Sequence, residues 1–320
     1  MKQQYSGIGG QAILEGIMMK NRDEYACAVR RADGSIAVDR RHYVSMTERH
    51  PIFRLPLIRG VFAFADSMVL GMRALNWSAS ICAEGAEEEE EPSGLEQWLD
   101  RHFGERAEGI IMGAIMAGSF LAGICIFMLL PMALASLLRR VGAGDTLVAF
   151  LEGVLRILIF IGYIQLISRM EDIHRTFMYH GAEHKCINCV EHGLPLTVEN
   201  VMKSSREHKR CGTSFILIVM VISILFFMVI RADTLWMRAV SRVVLIPVIA
   251  GVSYEVLRWA GTHDNGLVNA LSRPGMWMQS LTTREPTEDM IEVAIQAVEA
   301  VFDWKRYLRE HFDRKEEAAL

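Results

Sequence analysis

From Gly109 to Leu138 the chain runs thirty residues without a charged side chain. About 20 apolar residues suffice to cross a bilayer as a helix. The run therefore predicts a membrane span, with Pro131 near its end marking a kink or the interface. Three more apolar runs predict three more spans. Thr146 to Ser168 carries Glu152 and Arg156, placed one helical turn apart so that they neutralise each other. Thr213 to Ile230 is uncharged and rich in Ile, Leu, Val, Met and Phe. Val240 to Leu257 holds Arg242 near one end and Glu255 near the other, which turns it toward protein partners rather than lipid.

Outside these runs the pattern changes. Tyr25 to Arg31 and Ser35 to Tyr43 are short strand-like runs around Ala32-Asp33-Gly34, a good hairpin turn. In the apolar stretch Pro51 to Leu75, Arg59, Asp66 and Arg73 recur every seven residues and so share a helix face. That spacing predicts an amphipathic helix lying in the membrane interface, against the alternative of a re-entrant or fifth membrane helix. Glu87 to Glu91 repel one another and predict a solvated linker. Ile291, Ala294, Val298, Val301 and Phe302 fall at helical spacing in the tail from Thr287 to Phe312.

The fold class expected is mainly α: a polytopic membrane helical bundle of about four transmembrane helices with a small N-terminal module containing a β-hairpin. By segment, 1–83 is the N-terminal cytoplasmic module and 84–93 the acidic linker. Residues 94–260 form the membrane region with a central loop at 169–212, and 261–320 form a C-terminal cytoplasmic segment.

Composition adds little, because 51% hydrophobic and 22% charged residues are near the soluble average and the apolar residues are clustered. A net charge of −4 offers no global attraction for nucleic acid, so none is expected as a partner. The six cysteines show no regular disulfide framework, and Met1 to Gly16 has no cleavable-leader pattern. Basic residues set the expected orientation. The central loop holds Arg169, Arg175, Lys185, Lys203, Arg206, Lys209 and Arg210, against Arg139 and Arg140 in one flanking loop and Arg231 and Arg238 in the other. The excess places the central loop and both termini in the cytoplasm of a multi-pass plasma-membrane protein. The lipid bilayer is then the partner, and a homo-oligomer is left open.

The central loop also concentrates the chemistry. In Tyr179-His180-Gly181-Ala182-Glu183-His184-Lys185, the two imidazoles stand one helical turn apart and can share a metal ion. Glu183 beside them is placed to act as a base, the His-x-x-Glu-His order of the inverted zincins. Gly181 inside the box weakens it as a helix. Two further clusters are expected at the same membrane boundary: His208-Lys209-Arg210-Cys211-Gly212 and Thr262-His263-Asp264-Asn265. Cys186-Ile187-Asn188-Cys189 has the spacing of half a zinc site. Gly9-Gly10-Gln11-Ala12-Ile13-Leu14-Glu15-Gly16 is glycine-rich but lacks the marks of a phosphate loop.

Together these segments resemble the YqhQ-like family of bacterial membrane proteins, over nearly the whole chain and in order. The segments that carry the resemblance are Gly9 to Met19, Tyr179 to Lys185, Arg210 to Phe215, Pro274 to Trp277 and Leu281 to Pro286. The resemblance implies a metal-dependent enzyme without naming a substrate. The expectation is a zinc-dependent hydrolase facing the cytoplasm. His180, His184 and His208 would be the ligands, Glu183 the base, and Lys185 or Arg210 would stabilise developing negative charge. The competing expectation is a non-catalytic scaffold or transporter-like bundle whose polar cluster binds an ion, a headgroup or a partner. In that case Glu183 would brace its helix through Lys185 or Arg175.

Overall fold

A computed structural model describes residues 3–84, 107–138, 142–208, 211–230, 234–263 and 265–312. The chain forms two compact units, one of Met1–Gly85, Ile164–Ile222 and Ala232–Leu320, the other of Ala86–Tyr163 and Ser223–Arg231. The first unit thus unites three segments far apart in sequence: the N-terminal module, the central loop and the C-terminal tail.

The first unit is organised around a four-stranded antiparallel meander: β1 (Gly9–Ile13), β2 (Gly16–Asn21), β3 (Glu24–Arg30) and β4 (Ile36–His42). The β3–β4 hairpin turns at Asp33-Gly34, as predicted, with Gly34 at φ 84°. The β1–β2 hairpin is the glycine-rich opening, whose sequence carries no strand alternation. Its turn puts Glu15 at φ 48°. Both faces of β2 and β3 are buried. Ile17, Met19, Ala26 and Ala28 pack into one core, while Met18, Tyr25, Cys27 and Val29 pack into another.

Two sets of helices cover those faces. On one lie α6 (Glu171–Glu191) and α11 (Glu288–Val301), whose Ile291, Ala294 and Val298 are buried as the helical spacing predicted. The stretch read as a central loop is therefore mostly helix: α6, then the short α7 (Val198–Lys203). On the other face lies α2 (Ile58–Ala83), through Leu70, Ala74 and Ile81, after the short α1 (Met46–Arg49). The seven-residue polar spacing of α2 has a structural use. Buried Asp66 accepts hydrogen bonds from Tyr43, Ser45 and the Met46 N–H, and Arg73 lies over the Tyr43 ring. Arg59 forms a two-point ion pair with Glu255 of α9 (Leu235–Thr262). Helices α10 (Gly266–Thr282) and α12 (Trp304–Phe312) complete this unit with the first half of α8 (Gly212–Val229).

The second unit contains α3 (Ala107–Ile124), a single π-helical turn at Cys125–Leu129, α4 (Leu130–Ser136) and most of α5 (Asp145–Ile167). The π turn ends two residues before Pro131, the residue expected to mark a kink or the interface. Arg156 donates to Glu152 at 3.0 Å, so the predicted one-turn pair forms. Among the described residues, four helical segments are long and apolar enough to cross a membrane: Gly113–Ser136, Asp145–Ile167, Gly212–Val229 and Val240–Gly261. The acidic run Glu87 to Glu91 lies outside the described residues.

Candidate metal centre

Helix α6 delivers His180, Glu183 and His184 on one face. The segment after α10 crosses that face, and the Arg284 N–H donates to the Phe177 carbonyl at 2.8 Å. A methyl group at Gly181 would overlap the Arg284 carbonyl oxygen. The glycine that weakens the box as a helix is therefore what admits the crossing segment, and the last residue of α10, just before that segment, orients the His180 ring. His180 Nδ1 is 2.9 Å from the Thr282 carbonyl oxygen, and His184 Nδ1 is 2.6 Å from that of Arg206. A carbonyl only accepts, so both Nδ1 atoms carry the proton and both Nε2 atoms are left for another partner. Fixing a ring this way is how metal-ligating histidines are usually held.

The other partner is Cys211, at the N-terminus of α8. Its Sγ is 3.2 Å from His180 Nε2, and the Thr213 N–H donates to it at 3.4 Å. One donor atom each from His180, His184 and Cys211 lies within 4.8 Å of the others. Zinc bonds of about 2.3 Å to sulfur and about 2.0 Å to nitrogen, at tetrahedral angles, set S and N about 3.5 Å apart. The donors thus fit that ion in type and spacing.

Electrostatics agree. Burial alone would keep the Cys211 thiol protonated, but the charge and hydrogen bonds of His180 and His184 outweigh it and hold the thiol well below its ordinary range. Burial would likewise depress His180, yet Cys211, then Glu183 and the Thr282 carbonyl, push it up to about 9. Glu183 is 5% exposed. Its burial lifts the carboxyl above its ordinary value, more than the charges of His180 and His184 and the Gly10 N–H lower it. Glu183 Oε2 is buried and has no hydrogen-bond partner among the described residues. Such an atom costs free energy unless something outside the protein uses it.

Residues 55–304 match the family described as "Protein of unknown function (DUF1385)". A Bacillus subtilis (strain 168) protein, described as "Uncharacterized protein YqhQ", is 37% identical over 300 residues, 90% of each chain. The chain belongs to the DUF1385 family. No solved structure matches it. The segments that carried the resemblance meet at this centre of the DUF1385 fold. Gly10 reaches Glu183, Gly275 lies against the Ser214 side chain, and Thr282 holds His180.

The site residues expected from sequence are sorted as follows. His180, His184 and Glu183 come together. His208 does not take the third place, because its ring is turned to buried Glu191, with Nε2 3.5 Å from the carboxylate. Gln279 clamps its backbone, accepting the His208 N–H at 2.9 Å and donating to the carbonyl at 2.6 Å. The donor that stands beside the two imidazoles is instead Cys211, three residues on. Lys185 donates to the Met202 carbonyl and pairs with Glu285 at 2.5 Å, so its charge is already engaged. Arg175 pairs with Glu15, so neither basic residue braces Glu183. Arg210 and Asp264 lie outside the described residues. His263 hydrogen-bonds to Trp259, one turn back. Cys186 and Cys189 are packed in the α6 core, where burial pushes both thiols up, Cys189 to about 12. The signal for Cys211 was available: a thiol at a helix N-terminus beside basic residues is the setting that favours a thiolate.

Proposed function

We propose that this protein is a multi-pass membrane hydrolase that uses a zinc ion held by His180, His184 and Cys211. The observation that carries the reading is the ring of two oriented imidazoles and a thiolate beside the bare Oε2 of Glu183. Three protein ligands leave one tetrahedral position open, the arrangement of catalytic rather than structural zinc. A zinc ion bound there supplies Lewis acidity. The protein's own part is the proton. Glu183 is buried and not a ligand. Its raised affinity for a proton suits a group that takes one at Oε2 and returns it to a leaving group. The four membrane-length helices and the basic residues of 169–212 support insertion in the plasma membrane with this site and both termini on the cytoplasmic side.

The 3.2 Å approach of His180 to Cys211 also suits a cysteine nucleophile activated by histidine. A dyad has no use for a second imidazole whose Nδ1 is tied back, and His184 favours the metal. The test is Glu183→Gln, which keeps shape and removes the proton acceptor. Zinc content and membrane level should be unchanged while rescue of a deletion strain falls about 10²–10⁴-fold in rate terms. Full rescue at normal expression would remove the hydrolase reading.

A further inference from the structure

Helix α2 leaves an apolar stripe uncovered beside this centre. Phe64, Met68 and Leu75 fall within one third of the helix circumference and are 48%, 55% and 45% exposed. The opposite face, with Leu70, Ala74 and Ile81, is buried on the sheet. Two residues seven apart at the stripe's edge fix where it runs. The Phe64 ring is 6.1 Å from that of Phe215, in the first turn of α8, whose N–H donates to the Cys211 carbonyl at 3.3 Å. Gly71 lies under the Gln11 side chain, where an added methyl would stand 2.7 Å from Nε2. Gln11 follows Gly10, whose N–H faces Glu183. The stretch from Phe64 to Gly71 is thereby tied at one end to the neighbour of Cys211 and at the other to the neighbour of Glu183. Met68 lies between these anchors.

The stripe is continuous with surfaces that fit lipid. Helix α2 is fastened to α9 by Arg59 and Glu255, and the membrane-length part of α9 presents exposed Val243, Val244, Ile246 and Val256. Phe215 belongs to the first turn of another membrane-length helix. A row of large apolar side chains joining two such helices is covered at low cost by acyl chains and at high cost by water.

Building on the hydrolase reading, we propose that the centre takes a phospholipid of the bilayer as its ligand. Its first chain methylenes lie on Met68 between Phe64 and Gly71, and its headgroup reaches Glu183 and Cys211. The site is then fed sideways from the membrane, which accounts for an amphipathic helix packed beside a polar centre.

The test uses the full chain in nanodiscs of phosphatidylglycerol and phosphatidylethanolamine. The photo-crosslinking amino acid p-benzoylphenylalanine replaces Met68, and in separate variants Phe64 or, as a control, exposed Arg40 on β4. Phe64 serves as a second aromatic-sized position should the Met68 variant fold poorly. Intact mass should show phospholipid adducts at Met68 and Phe64 about tenfold above Arg40, a ratio that burial of two methylenes already supplies. Selectively deuterated chains should place the Met68 adduct on the methylenes nearest the ester. Adducts no higher than at Arg40, adducts confined to chain ends, or crosslinks to a second copy would each overturn the proposal. Zinc content of the same preparations separates the two readings. Zinc-bearing protein without adducts removes the lipid ligand alone. Adducts on protein that takes up no zinc support the lipid site and remove the hydrolase.

Discussion

Two buried polar clusters in this molecule are built on opposite plans. In α5, Arg156 donates to Glu152 at 3.0 Å, to the Phe127 carbonyl at 3.0 Å and to Ser223 at 3.2 Å, and its guanidinium lies over the Phe227 ring. Phe127 lies in the π-helical turn, four residues before Pro131, which has no N–H to donate back to it, so the guanidinium supplies a donor to that carbonyl. Every group there has a use within the fold. In the centre on α6, the Nδ1 atoms of both imidazoles are tied to carbonyls, their Nε2 atoms gather with the Cys211 thiol, and Glu183 Oε2 has no partner among the described residues. A charge in an apolar segment is not by itself a sign of chemistry. The distinction lies in whether the polar atoms close on each other or leave an acceptor bare.

Breaking the closed cluster should cost folding and nothing else. Arg156→Leu takes the guanidinium away from buried Glu152, a loss of about 3–5 kcal/mol. Membrane levels of the variant and its resistance to denaturing detergent should fall, with zinc per surviving molecule unchanged. Gly181→Ala probes the open cluster through its support. The new methyl must push the Arg284 carbonyl away, an overpacking cost of about 1–3 kcal/mol. The shift also moves the Thr282 carbonyl from His180, so zinc affinity measured by chelator competition should drop about 10–100-fold. The smallest effect is the pH dependence. His180 holds a proton up to about 9, and zinc must displace it. Affinity should therefore rise with pH, about tenfold per unit below that value, and flatten above it. Cys211, held as thiolate by the same imidazoles, should add no slope in this range. A flat profile from pH 6 to 9 would mean that His180 is not a ligand.

The same contrast explains what the sequence disclosed. Uncharged runs of membrane length and the one-turn Glu152–Arg156 pair are local patterns, and both reappear as helices and as a hydrogen bond. His180 and His184 are likewise one turn apart on a single helix. The third donor is a long-range fact. His208 and Cys211 are three residues apart and equally suitable by type. The choice between them is made by Glu191 and Gln279, which hold the His208 ring and backbone from α6 and α10. The opening hairpin was hidden for a different reason. Strands buried on both faces lose the alternation that marks a half-exposed strand, and Ile17, Met18 and Met19 read as a plain apolar run. Gly181 looked like a defect because its cause, the Arg284 carbonyl, lies 103 residues away, 284 minus 181.

The central claim is that His180, His184 and Cys211 hold a metal ion. The most direct measurement is the metal content of purified, detergent-solubilised protein, wild type beside Cys211→Ser and His208→Asn, with folding followed by circular dichroism. The account predicts close to one zinc per chain in the wild type, its loss in Cys211→Ser and its retention in His208→Asn. A wild-type protein that takes up no zinc, or one that keeps it without Cys211 and loses it without His208, would contradict the account.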